Sequence, residues 1–432
     1  MVGNKRINSN FRRVVVALLF LVTIINYIDR ASISFAFNEL HTSKSEIGLI
    51  LGGFGIGYLI TTFVGGILVD RFGPKTVLVV SAIFWAIAMF TTALTSSFAM
   101  LFASRILLGL AEGPNFPTMA KTMSNWLPHA ERGRSLSYGL LAVPISLAIG
   151  SPLIAELTVH YTWRGMFFIL GAVVLVWVPF WLKLFKNTPE ESKHVSQNEL
   201  SVINKDISEN QKDLDGSEVS WRYMLTNPTL LSNYWAFFVF GYFLFFFMGW
   251  LPNYLHTTYH LNIKQEGFFS IAPWAFGAIF MWGVGYFSDF LMIKTKRLRL
   301  ARSYPIIISQ LLASLCIIPL VLIHHPSLMM AAILISLAVG FSMSANANYT
   351  AINIDVAKKR AGTATGIMEA CFAVSGIVAP IITGYLVQFT GTFKSGLFLL
   401  VAFGLSSVIL SLLFHRPDNS IKQSYQSNLN QI

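Results

Sequence analysis

The sequence predicts an all-α membrane fold of twelve transmembrane helices in two six-helix bundles. Three observations predict it: a scarcity of charge, twelve apolar runs of spanning length, and one long polar stretch that divides them six and six. Of 432 residues, 54% are hydrophobic and only 12% charged, with a mean hydropathy of +0.60. Soluble domains carry about 25% charged residues; immersion in lipid, rather than one water-soluble core, calls for less. The net charge is +11, which on a soluble domain would suggest nucleic acid. Here the basic residues lie in short clusters between apolar runs, a pattern of membrane orientation with no nucleic-acid partner implied.

A spanning helix needs about 20 mostly apolar residues. Such segments run over 14–37, 47–69, 76–95, 98–121, 133–157 and 164–185, then 231–255, 267–291, 304–324, 327–352, 362–389 and 394–415. Their even hydrophobicity lacks the strict alternation of a membrane barrel strand. Lys5, Arg6, Arg12 and Arg13 precede the first segment, which reads as an uncleaved helix because more spans follow. If the N-terminus is cytoplasmic, 25 of the 31 basic residues fall on cytoplasmic segments and 4 on outer loops (Lys44, Arg164, Lys264, Lys394). Arg30 and Arg105 lie inside spans. This bias predicts an inner-membrane protein with both termini cytoplasmic.

Residues 186–230 are polar and contain Thr188-Pro189-Glu190-Glu191. They read as a cytoplasmic linker between an N-terminal bundle, 1–185, and a C-terminal bundle, 231–415, with 416–432 as a cytoplasmic tail. A faint repeat agrees: Gly66-x-x-x-Asp70-Arg71-x-Gly73 closes span two, and Gly285-x-x-x-Asp289 closes span eight. Tandem halves around a midplane site are a common transporter plan. Cys316 and Cys371 sit in apolar segments and read as small hydrophobes. His160, His256, His260, His324 and His325 fall near outer ends and read as solvated loop residues. No phosphate-cradling GxxxxGK[ST] loop is present, so nucleotide-driven pumping has no support; no cofactor, metal site or nucleophile–base set is apparent.

The segment Gly66-Ile67-Leu68-Val69-Asp70-Arg71-Phe72-Gly73-Pro74-Lys75 resembles the loop motif of the major facilitator superfamily. Asn26-Tyr27-Ile28-Asp29-Arg30, Arg105-x3-Gly109-x2-Glu112-Gly113-Pro114-x-Phe116-Pro117 and Trp126-Leu127-Pro128-x2-Glu131-Arg132-Gly133-Arg134 narrow the likeness. Together they resemble the anion:cation symporter family, which includes carriers of sugar acids, sialic acid and glutamate. That resemblance implies a monomeric secondary transporter, not an enzyme, that carries a small organic anion with protons by alternating access. An efflux antiporter for a drug-like or siderophore-like compound is the alternative, although Gly139-x4-Pro144 and Gly150-Ser151-Pro152 match the usual antiporter motif poorly. A receptor or enzyme on the same fold is a third reading.

Charge inside the bilayer is expensive, so each ionisable residue there should face a cavity or a partner. Asp29 and Arg30 are neighbours in span one; Arg105 and Glu112 lie seven apart on one face of span four. Arg offers a planar fork to a carboxylate, and acids are needed to carry protons. Arg30 is therefore expected either to clamp the anion or to pair structurally with Glu112. Asp29 and Glu112 are expected to couple protons, as the family likeness implies, or to pair helices. Arg105 contacts substrate or holds Glu112 ionised. Tyr27 and Tyr58 are substrate candidates against a background of packing aromatics. In span ten, Asn346 and Tyr349 share a helix face and could meet substrate hydroxyls or bond between helices. Glu369 in span eleven stands where sugar-acid carriers tend to have a neutral amide, so a zwitterionic or amino-acid substrate is a further option. Val143 stands where galactonate-type carriers would have glutamine. As gates, Asp70 and Arg71 are expected to reach Glu131 and Arg132, with Asp289 acting alike in the second half, where Phe290 replaces the arginine.

Overall fold

The computed structural model describes residues 10–37, 39–40, 42–210, 220–357 and 360–418. Backbone amides cannot stay unpaired in hydrocarbon, and every predicted span is helical. The first half comprises α1 (Phe11–Ser32), α2 (Lys44–Ala93), α3 (Phe98–Glu112), α4 (Asn115–Trp126) and α5 (His129–Leu184). Two short helices, α6 (Gln197–Asn210) and α7 (Trp221–Thr226), lie in the predicted linker, whose residues 211–219 fall outside the described residues. The second half comprises α8 (Pro228–Tyr259), α9 (Ile263–Phe269), α10 (Ile271–Thr295), α11 (Tyr304–Leu322), α12 (Leu328–Ser344), α13 (Asn346–Ala357), α14 (Ala361–Thr390) and α15 (Lys394–Phe414). Most of the predicted tail, 419–432, lies outside the described residues.

Nine helical stretches among the described residues are long and apolar enough to cross a membrane, and they make eleven of the twelve passes. α2 and α5 are each two passes folded back on themselves, at Gly73 (φ 78°) and Thr162 (φ 61°). Glycine takes that positive φ without a Cβ clash, and Pro74 then starts the returning pass with its φ already suited to a helix. The twelfth pass is α3 and α4, split at Gly113-Pro114 just beyond Glu112. Span ten is likewise interrupted, at Ala345 between α12 and α13.

Within the first half α1 packs on α5, and α2 packs on both α3 and α5. Within the second, α8 packs on α14 and α15, α10 on α12, and α11 on α12 and α15. The halves meet along α2–α14, α5–α10 and α5–α9. Lipid offers no hydrophobic drive between helices, so close van der Waals fit has to hold them. Large side chains such as Phe63, Trp282, Ile293 and Phe389 are exposed around the outside, where acyl chains rather than water would cover them.

Both described ends of the chain and the linker lie on one face, here called the linker face. Glu199 of α6 accepts hydrogen bonds from the backbone N–H groups of Phe11 and Arg12, at 3.2 and 3.1 Å. Arg416 N–H donates to Thr229 Oγ1 at 3.1 Å. At the opposite face the halves are tied together. Lys264 Nζ of α9 meets Glu156 Oε2 of α5 at 2.9 Å. Lys44 Nζ donates to Asn253 Oδ1 at 2.6 Å, and Lys44 N–H donates to Gln388 Oε1 at 2.9 Å. Beneath these bonds α2 and α14 touch backbone to backbone: a Cβ on Gly48 would lie 2.7 Å from the Pro380 carbonyl oxygen. That face is closed.

Candidate functional site

The site is built where α1, α2 and α3 converge. The last turns of α1 carry Asn26, Tyr27, Asp29 and Arg30, all buried. α2 and α3 cross in direct backbone contact, since a Cβ on Gly109 would stand 2.1 Å from Phe54 O and one on Gly57 would stand 2.1 Å from Ile106 O. Only glycine at both positions allows that approach. The crossing carries Phe54 and Tyr58 of α2 up to Arg105 and Glu112 of α3.

Arg30 is the hub. Its Nε and Nη2 both donate to one oxygen of Glu112, Oε2, at 3.2 and 3.1 Å, and Nη2 also donates to Asn26 Oδ1 at 3.0 Å. The guanidinium carbon lies 4.4 Å from the ring centroids of Tyr27 and Phe54 and 4.8 Å from that of Tyr58. A cation desolvated among aromatic faces is held by their quadrupoles. Arg105 Nη2 donates to the Arg30 carbonyl at 3.2 Å, and its guanidinium carbon lies 5.8 Å from the Phe54 ring centroid. The Arg30–Glu112 pair foreseen as the structural alternative is thus present, which leaves the two N–H groups of Nη1 unengaged.

The unpaired atoms define what the site can do. Arg30 Nη1 and Arg105 Nε and Nη1 are buried without a hydrogen-bond partner among the described residues. Native interiors rarely leave such groups unmet unless they have work to do. Arg30 and Arg105 line a small cavity between the halves, whose far wall is Phe245, Met248 and Gly249 of α8 and Pro380 of α14. Asp29 does not share this wall. One residue around the helix from Arg30, it lies within electrostatic reach of Glu112 and Arg105 and beside Trp85 on the returning pass of α2.

The second half contributes differently. Glu369 of α14 is half-buried, forms no hydrogen bond or ion pair with the described residues, and lies within electrostatic reach of Tyr27 and Tyr58 across the interface. Tyr349, expected beside substrate, is instead committed to packing. Its hydroxyl accepts from Gln310 Nε2 at 2.8 Å, and its ring centroid lies 5.2 Å from Phe237 and 5.9 Å from Phe240. It is fully buried; it shares α13 with Asn346, as the spacing implied, but its hydroxyl is taken up by α11. Asn346 is buried as the first residue of α13. Asn348 accepts from Ser288 Oγ at 2.7 Å.

The gating residues also find other partners than expected. Asp70 pairs with Lys121 of α4 at 2.8 Å, while Arg71 lies over the Phe72 ring, 5.3 Å from its centroid. Glu131 receives Arg12 Nε and Nη2 at 2.9 and 3.1 Å. Arg132 caps the end of α4, donating to the carbonyls of Ser124 and Leu127 at 2.8 and 2.9 Å. The expected Asp70–Arg132 latch is not made because a nearer cation serves Asp70 and the orphan carbonyls of a helix end serve Arg132. In the second half Asp289 has an arginine after all, Arg302 at 2.8 Å, supplied from the start of the next pass rather than from position 290. Near the opposite face, His256 Nδ1 lies 3.0 Å from Glu266 Oε1, a partner that spacing along the chain did not suggest.

Sequence reasoning overlooked Asn26 and Phe54, which complete the Arg30 shell. Asn26 carried a signal, standing four residues before Arg30 on the same helix face. Phe54 carried none among 36 phenylalanines.

The profile of the Major Facilitator Superfamily matches residues 19–354 and 297–429. A hexuronate transporter of Bacillus subtilis is 31% identical over 412 residues, covering 93% of this chain and 94% of its own. A "Probable galactarate/D-glucarate transporter" of the same organism is 32% identical over 431 residues, covering 95% and 93%. Among solved structures, a bacterial homolog of the human lysosomal transporter Spinster, inward-facing and occupied, superposes with a TM-score of 0.74 at 14% identity, over 96% of this chain and 98% of that one. Two tandem bundles around a buried polar site, matched over nearly their whole length, identify the chain as a member of the Major Facilitator Superfamily, a multi-pass membrane transporter related to sugar-acid and organic-anion transporters.

Proposed function

We propose that this protein imports a small organic anion, a sugar acid or similar carboxylate, together with protons, as a member of the anion:cation symporter family. The observation that carries the reading is the set of unpaired guanidinium N–H groups on Arg30 and Arg105, buried at the cavity between the halves. A carboxylate is the acceptor that suits them, because a planar fork can meet both of its oxygens. The relatives named above support the same chemistry.

Coupling follows from competition for one guanidinium. While Glu112 is ionised it holds Arg30 through Nε and Nη2. A proton on Glu112 weakens that hold and turns the fork toward the substrate, so proton and anion load together. Asp29 supplies a second acid close enough to feel Glu112. Bundles 1–185 and 231–415 would rock about this site, joined by the linker 186–230, with the linker face cytoplasmic in the inner membrane and the protein a monomer. In that orientation the closed face is the outer one, held by Lys264–Glu156 and Lys44–Asn253. Asp70–Lys121 and Asp289–Arg302 lie at the cytoplasmic ends.

Reconstitution into proteoliposomes tests this. D-Glucuronate and D-glucarate should accumulate under an inward proton gradient and not without one. Glu112→Gln should abolish accumulation while retaining exchange of internal for external anion. Expulsion of cationic dyes with no anion uptake would falsify the symport reading and favour efflux.

A further inference from the structure

The closed face holds a cavity that the transport cycle proposed above leaves idle. It has a volume of about 550 Å³ and lies among the ends of α2, α8, α14 and α15 and the turn between α11 and α12. Lys44, Lys394, His324 and His325 line it, and the described residues of its wall include no carboxylate. Lys44 belongs to the first half and the other three to the second, so both halves build the wall. Each lysine is the first residue of its helix, Lys44 of α2 and Lys394 of α15, where the helix dipole is positive and disfavours a cation. Glu46, two residues on, is taken up in capping Ser43. The gathering is therefore unfavourable until an anion joins it. Lys44 Nζ donates to Asn253 Oδ1 at 2.6 Å, and Lys394 Nζ donates to the Ile323 carbonyl at 2.9 Å. An ammonium has three N–H groups, so one such bond leaves each lysine able to donate again. The rings of His324 and His325 have centroids 6.1 Å apart, and an imidazole donates an N–H even when neutral. Thr257 and Thr392 add hydroxyls, and the volume is that of an ordinary small-ligand pocket.

We propose that this cavity binds a small soluble dianion (sulfate, phosphate or a short dicarboxylate) and that its occupant locks the face shut. The lock follows from where the walls come from. α2 and α14 touch through backbone here, since a Cβ on Gly384 would lie 2.5 Å from the Lys44 carbonyl oxygen. Any opening of this face must part them. An anion held by lysines from both halves binds best while the halves are together, and it stabilises that state by its difference in affinity. It need not displace Asn253 from Lys44, so latch and anion act together. Binding and lock stand without symport. Only their effect on uptake, inhibition from outside, rests on the import reading above.

Sulfate is the probe, with chloride at equal ionic strength as the control. By isothermal titration calorimetry in detergent, Lys394→Gln should bind sulfate about tenfold more weakly than wild type, the loss of one charge-assisted hydrogen bond. Lys394→Arg should restore the affinity. Sulfate bound equally by wild type and Lys394→Gln, or by neither, overturns the site. Spin labels at Tyr161→Cys and Met329→Cys, both exposed positions, then report the separation of the halves across this face in phosphatidylcholine nanodiscs. Cys316→Ser and Cys371→Ser supply the background. Sulfate should narrow the distances toward the shortest in wild type and leave Lys394→Gln unmoved; a lengthened or unchanged distance overturns the lock. The same narrowing produced by phosphatidylglycerol in the disc, and not by sulfate, gives the cavity to a lipid phosphate and overturns the soluble ligand. In proteoliposomes external sulfate should slow D-glucuronate uptake by wild type and not by Lys394→Gln. Binding and narrowing with no uptake of D-glucuronate at all would sink the import reading and leave the lock standing.

Discussion

The two halves share a helical plan but bring different polar groups to the interface. In the first half, charged groups are buried and left partly unmet: Arg30 and Arg105 have N–H groups without partners among the described residues. In the second, α8, α11 and α13 meet through aromatic rings and neutral amides, whose N–H groups are bonded while Asn233 Oδ1 and Gln310 Oε1 are not. Asn233 Nδ2 donates to the Tyr349 carbonyl and to Asn353 Oδ1, each at 3.0 Å, and Gln310 closes on the Tyr349 hydroxyl. The first half thus brings charged groups to the interface and the second a neutral, largely aromatic wall, with Glu369 as the exception.

The sharpest way to break that contrast is Arg30→Ala. It removes one partner of a buried ion pair and should destabilise the protein by about 3–5 kcal/mol, read as a lower melting temperature in detergent, together with loss of anion uptake. Adding Glu112→Gln should recover much of the stability and none of the uptake; recovery of uptake would reduce Arg30 to a structural role. A smaller effect is expected from Gly109→Ala, where the new methyl meets Phe54 O. Overpacking of this kind costs about 1–3 kcal/mol, and because it moves Phe54 off Arg30 it should weaken anion affinity as well. The smallest belongs to the second half. Tyr349→Phe removes one interhelical hydrogen bond, about 0.6 kcal/mol, and should leave uptake unchanged; a clear loss of affinity for polyhydroxylated acids would restore Tyr349 to the site.

Most of the fold was legible because hydrocarbon imposes a single demand, long apolar helices, that a run of residues either meets or fails. Asp29, Arg30, Arg105 and Glu112 were legible for the converse reason: they violate that demand, and a violation stands out without any knowledge of neighbours. Partners were harder. Lys121 for Asp70 and Arg302 for Asp289 come from adjoining passes, and nothing in linear spacing ranks them above Arg132 or position 290. Tyr349 misled because spacing along α13 could not show that Gln310 of α11 meets its hydroxyl. Phe54 was silent because its role depends on the α2–α3 crossing that Gly57 and Gly109 permit.

The hold of Glu199 on α1 has a mechanical consequence. A helix start carries amide N–H groups with no partner in the helix itself, and here α6 supplies their acceptor, with Arg12 Nη1 at 3.2 Å adding a charge. α1 is a rigid rod whose far end bears Asp29 and Arg30, so its first turn works as the short arm of a lever and the linker as the hand upon it. Drawing α6 aside would remove those acceptors and slacken the grip on the rod. The linker would then be a throttle on the carrier rather than a tether between its halves.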